Sequence, residues 1–122
     1  MSNISEYVKL YSYLVEYSLE DEAYVAKCIE LGIMAHGDTQ EEAIQEIKEA
    51  TRVHLLMLEE DEDKIPEPFN LREFSGKLNL RMTPEKHREI AFKAKTQGVS
   101  INHYINSQLK FTKIGANNFN HK

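Results

Sequence analysis

Lys77, Asn79 and Arg81 occupy alternate positions of Lys-Leu-Asn-Leu-Arg-Met, residues 77–82. Successive side chains of an extended segment point to opposite faces. One face of this segment therefore carries a cation, an amide and a cation, and the other carries Leu78, Leu80 and Met82. Arg and Lys form paired hydrogen bonds with guanine, and Asn does so with adenine. A two-stranded ribbon fits the DNA major groove, so the chemistry this spacing suits is the reading of base edges. Catalysis has a weaker claim. Metal-dependent nuclease chemistry needs carboxylates converging on two ions, and the candidate set is Glu16, Glu42 and Glu46. Glu42 is better explained by helix capping, and Glu46 falls on an exposed helix face. No catalytic residue is therefore expected. The five histidines, His36, His54, His87, His103 and His121, contain no close ligand pair and have no Cys neighbour, so no metal and no cofactor is expected. His54 lies on an apolar helix face, where a hydrogen-bonded core histidine is expected. Cys28 lies within an apolar run and reads as a buried, inert thiol.

The elements around residues 77–82 follow a definite plan. Thr83 and Pro84 suit the N-cap and first position of a helix. Gly98 ends that helix, and Ser100 caps a second one with Ile101, Tyr104, Ile105 and Leu109 on one face. Strand, helix, glycine turn and helix make a ribbon-helix-helix plan over residues 76–110. A lone strand leaves a row of backbone donors and acceptors unpaired. Pairing with the same strand of a second copy resolves this and predicts a homodimer. The competing reading makes 77–82 an edge strand of the upstream domain with its charges merely solvated.

The formal charge of −5 is unevenly distributed. Residues 1–73 hold 6 Lys+Arg against 18 Asp+Glu, and residues 74–122 hold 9 against 2. The acidic part would be repelled by phosphate and suits a cationic partner; the basic part suits DNA. One cysteine permits no internal disulfide and fits a reducing, cytoplasmic setting. The longest apolar stretch, near Leu55–Leu58, is too short to span a bilayer, so no membrane partner is expected.

Upstream, residues 1–9 read as an unstructured start. Leu10–Ser18 and Ala23–Ile29 are rich in strand-forming residues and flank the polar turn Leu19–Glu22, which predicts a hairpin. Ile33–His36 suits a short third strand. Thr39 and Glu42 have capping-box spacing, and Ala43, Ile44, Ile47, Ala50, His54, Leu55 and Leu58 predict a helix from Gln40 to Glu59 that covers the sheet. The acidic run 59–63 with Pro66 and Pro68 predicts a linker, with a short strand near Phe69–Phe74. The expected fold class is α+β. Its parts are residues 1–62 as a small antiparallel sheet with one covering helix, 63–75 as linker, 76–110 as ribbon-helix-helix, and 111–122 as a flexible tail.

Both halves resemble the HicB-type antitoxin family. The first half, through VEYSLEDEAYVAKCIELG and HGDTQEEAIQEIKEA, resembles that family's partial RNase H-like domain. The link KIPEP is similar to that of the family, and residues 74–109 resemble the ribbon-helix-helix domain carried by one branch of it. Where the family often has Pro-Gly-Cys after the second strand, this chain has Leu31-Gly32-Ile33. The resemblance implies the antitoxin of a type II toxin-antitoxin system. Such a protein neutralises a HicA-type ribonuclease toxin that cleaves mRNA, and it represses its own operon by binding the promoter as a dimer or higher oligomer. It also implies base contacts from Lys77, Asn79 and Arg81, and a phosphate held by the backbone of Ser100, Ile101 and Asn102. Two alternatives stand beside this. One is a lone ribbon-helix-helix regulator whose first domain serves oligomerisation or ligand sensing; the other is an interaction adaptor that never meets DNA.

Overall fold

Ala43, Ile47, Thr51 and Leu55 recur every fourth residue and are all inaccessible to solvent. That spacing puts them in one row along a helix, and the row is the ridge on which the first part of the molecule is built. The computed structural model describes residues 4–111. The chain divides into two compact units, residues 1–75 and 76–122.

The first unit begins with helix α1, Ile4–Leu10. The expected unstructured start is therefore corrected for its described residues. Ile4 and Tyr11 are buried, and α1 packs on the long helix of the unit. Burial of this kind stabilises a helix too short to persist by propensity alone. Three strands follow: β1, Tyr13–Ser18; β2, Ala23–Cys28; and β3, Ile33–Gly37. They form an antiparallel meander in the order β1-β2-β3. The register places Val15 opposite Ala26 and Ala26 opposite Ala35, and Tyr13, Cys28 and Ile33 align in the same way. These residues face helix α2, Gln40–Glu60, which covers one side of the sheet.

The start of α2 is fixed by side chains. Thr39 Oγ1 accepts from Glu42 N at 3.0 Å, and the Glu42 carboxylate accepts from the backbone N–H of Asp38. Gly37 stands against this turn, where a Cβ would meet Ala43 N at 2.4 Å. No other residue allows so close an approach of strand and helix. The core is small. Ile47 and Leu55 are its largest aliphatic side chains without exposure, and each contributes about 1.5–3 kcal/mol by burial.

Thr51 sits in that core as the buried polar residue, and its hydroxyl has no hydrogen-bond partner at normal geometry among the described residues. It lies close enough to the Tyr13 phenol and the Cys28 thiol to favour their ionised forms. Burial outweighs that influence. It pushes Tyr13 up to about 12 and raises Cys28, so both stay protonated at neutral pH and the thiol is unreactive.

Residues after α2 remain fastened to the unit. Pro68 is buried, and the strand expected near Phe69–Phe74 is instead a single 3-10 turn, Phe69–Leu71. Tyr11 Oη donates to Pro66 O at 2.6 Å. The Glu30 carboxylate accepts from Ser12 N at 2.9 Å, Ser12 Oγ at 3.1 Å and Phe69 N at 3.0 Å.

The second unit is a helix pair, α3, Pro84–Gln97, and α4, Ile101–Gln108. Residues 77–82, expected as a strand, form none within the chain. A strand is defined by its ladder, and among the described residues no strand of the same unit is there to pair with it. Among the described residues no helix is long and apolar enough to cross a membrane. The tail from residue 112 lies outside the described residues.

Candidate nucleic-acid interface

The local chemistry of the second unit is encoded residue by residue. Thr83 has extended backbone, and its Oγ1 accepts from Lys86 N at 3.2 Å. Pro84 fills the first helical position, where no N–H is needed. At the other end Gly98 adopts φ 71° and ψ 29°, the left-handed region. Gly98 N donates to Lys95 O at 3.1 Å and Val99 N to Ala94 O at 3.0 Å, which together make a Schellman closure. Ser100 then caps α4, its Oγ accepting from His103 N at 3.0 Å. The turn between the helices is thus the three residues Gly98, Val99 and Ser100, and Ala94 of α3 and Tyr104 of α4 are the side chains buried in the unit among the described residues.

Lys77, Asn79 and Arg81 are all exposed, in the segment that leads into α3. Leu78 and Leu80 border a groove of about 370 Å³ whose other wall is α4, through Asn102, Ile105 and Asn106. Lys77 also lines it. The structure thus brings together Lys77 from the expected base-reading set and Asn102 from the expected phosphate-binding set. Asn79, Arg81, Ser100 and Ile101 do not line that groove.

Ser100 and Asn102 frame the first turn of α4. The N–H of His103 is taken by Ser100 Oγ, and the carbonyl of Asn102 accepts from Asn106 Nδ2 at 2.9 Å. The backbone N–H groups of Ile101 and Asn102 lie in the first turn of α4, where the helix itself supplies no acceptor. Unpaired donors at a helix start favour an anion. Lys93 and Glu89 pair at 3.2 Å on the exposed side of α3, and this contact raises the Lys93 pKa. The pairing reduces the charge Lys93 can offer a phosphate.

The carboxylates considered for nuclease chemistry do not converge. Glu16 stands across from Val25 and His36 on the sheet face away from α2, whereas Glu42 and Glu46 belong to α2. Among the described residues no group of three His, Cys, Asp or Glu could hold a metal ion. His54 is only half-buried and borders a surface groove, so the expectation of a hydrogen-bonded core histidine is corrected. Glu30, Tyr11 and Thr51 were not singled out from the sequence. Glu30 and Tyr11 act through folded-state contacts across 39 and 55 positions, which no local pattern displays.

Among known families, the model of the HicB family matches residues 58–109. That span covers the end of α2, the connecting segment, residues 77–82 and both helices of the second unit. Residues 10–57, which carry the resemblance of the first half, lie outside it. Comparison with curated proteins and with solved structures gave no match.

Proposed function

We propose, from a HicB-type assignment resting on residues 58–109, that this chain is an antitoxin that binds a HicA-type ribonuclease toxin and represses its own operon. The family match is consistent with an antitoxin role, and HicB proteins are generally not enzymes. The observation that carries the DNA-binding part is the unfinished core of the second unit. Ala94 and Tyr104 are buried there, while Leu78 is 81 % exposed, Leu80 58 % and Phe92 68 %. A unit this small stabilises itself by association. Pairing residues 77–82 with those of a second copy would form a strand ladder and cover Leu78 and Leu80 together. The opposite face of such a ribbon would present Lys77, Asn79 and Arg81 twice to a major groove. Ser100, Ile101 and Asn102 would meet the flanking phosphate with backbone N–H groups.

The test is a gel shift in a salt series with the DNA upstream of the gene for this chain. Tight binding that falls steeply as salt rises supports the ribbon reading. No shift at low salt, with or without the toxin, overturns it. A lone regulator remains the second reading; it is favoured if no small basic protein is encoded beside this chain.

A further inference from the structure

We infer that the flank of α2 bearing Val53 and Met57 is where the first unit receives its basic protein partner; this rests on the antitoxin reading above. Helical spacing puts Glu46, Ala50, Val53, Met57 and Glu60 along one line, roughly 100° around α2 from the buried row Ala43–Leu55. Val53, Leu56 and Met57 are exposed on this side, Met57 by 57 %. Together with Ile33 of the edge strand β3, Val53 and Met57 line a groove of about 440 Å³. Three large apolar side chains exposed within two turns mark an interaction surface rather than a scatter of single residues.

The charges around the groove select the occupant. Glu46 and Glu49 line it, and among the described residues no Lys or Arg does. The nearest cation on the helix, Arg52, is held by Glu49 at 2.6 Å and 3.1 Å. Arg52 offsets Glu49, so the rim keeps Glu46 as its carboxylate without a salt bridge among the described residues, on a half of the chain where 18 Asp+Glu face 6 Lys+Arg. A second copy is disfavoured: antiparallel α2 helices crossing at Val53 would set Glu46 against Glu60 twice, and parallel ones would set Glu46 against Glu46. Like charges so placed repel. A partner with apolar side chains ringed by Lys or Arg is complementary instead. A protein that holds RNA must carry such cations, so an RNA-cleaving toxin has the right chemistry, and docking would occupy the charges it needs for RNA. The opposite sheet face is a poorer candidate, because Lys27 separates Leu14 from Met34 in the register.

The experiment is calorimetric titration of the full chain with the purified small basic protein encoded beside its gene. Val53→Lys with Met57→Lys keeps good helix formers at exposed positions. It is expected to weaken binding at least 100-fold while the thermal melt is unchanged. Leu14→Lys with Met34→Lys, on the opposite sheet face, is expected to bind within twofold of the natural chain. Glu46→Gln should slow association severalfold at low salt and leave dissociation nearly unchanged. If the Lys pair disturbs the melt, Met57→Gln alone carries the comparison, with a tenfold loss expected. Natural-like binding by the folded α2 variants overturns this assignment and leaves the antitoxin reading standing. Loss of binding in the Leu14/Met34 variant instead moves the site to the sheet face. A fall in oligomeric state of the α2 variant without toxin would make the groove a self-interface and overturn the proposal. Absence of such a gene, or no binding by the natural chain, overturns both readings.

Discussion

Glu30 accepts a hydrogen bond from the backbone N–H of Phe69 at 3.0 Å, although 39 positions separate them in the chain. The same carboxylate accepts from Ser12 N and Ser12 Oγ. One side chain thus joins the entry to β1, the exit of β2 and the segment that follows α2. Beside it, Tyr11 Oη reaches Pro66 O at 2.6 Å. Burial drives the Tyr11 pKa far above the ordinary phenol range, so this donor keeps its proton throughout the physiological range.

Glu30 gives the first unit a pH-dependent component of stability. Burial alone would raise its pKa, but the hydrogen bonds from Phe69 and Ser12 outweigh that and hold it below the ordinary glutamate range. Its contribution is complete above the unfolded pKa and is lost as pH falls through the lower folded value. Glu30→Gln should cost about 1 kcal/mol at pH 7, allowing for partial exposure. The difference from the natural chain should vanish at acid pH. Urea denaturation over a series of falling pH values checks this; a difference that stays constant throughout would assign the cost to packing.

Thr51→Val should stabilise the first unit by about 1 kcal/mol. The change keeps the side-chain shape and removes a buried hydroxyl that lacks a proper partner. Thr51→Ala should do the reverse, because it leaves a cavity beneath α2. Denaturation midpoints of the two variants decide the matter. If Thr51→Val destabilises instead, the hydroxyl is bonded to Tyr13 or Cys28 in solution.

The parts of the fold legible in the sequence are those fixed by nearest neighbours. Thr39 with Glu42, Thr83 with Pro84, Gly98 and Ser100 mark helix ends because each acts within three residues of itself. The hairpin was legible because Leu19–Glu22 separates two runs of strand formers. Helix α1 was not, since Ile4 and Tyr11 order it only through the folded core. Thr51 was passed over as polar although it completes the buried row. Where a short strand was expected near Phe69–Phe74, Pro68 and the Glu30 contact accompany a single turn over Phe69–Leu71. For residues 77–82 the alternation was legible, but no ladder forms over them among the described residues, so alternation alone does not make a strand. The second apolar line of α2 was hidden because its residues share a helix with the core line, which absorbs the obvious periodicity.

Leu80→Asp should weaken self-association of the chain at least tenfold. Covering one leucine stabilises an assembly by about 1.5–3 kcal/mol, and a charge in its place would have to be desolvated. Sedimentation equilibrium over a concentration series measures this directly. Thr83, Gly98 and Ser100 are untouched, so helix content should persist in circular dichroism. A dimer of unchanged strength would place residues 77–82 outside the interface and leave Leu80 as simple surface.

Arg81→Ala should weaken binding to the operator by about 1–3 kcal/mol and relax the preference at one base pair in each half-site. Arg81 is exposed, at the end of the alternating segment and two residues before the Thr83 cap. Its backbone is therefore anchored close by while its guanidinium stays available. Reading of a base predicts that the penalty is large on the natural operator and small on unrelated DNA. Phosphate contact alone predicts an equal penalty on both and a salt dependence shallower by about one charge. Titrations of the natural chain and the variant on the two DNAs at several salt concentrations separate these outcomes. An equal loss on both DNAs would move base reading to Lys77 and Asn79 and leave Arg81 as a backbone clamp.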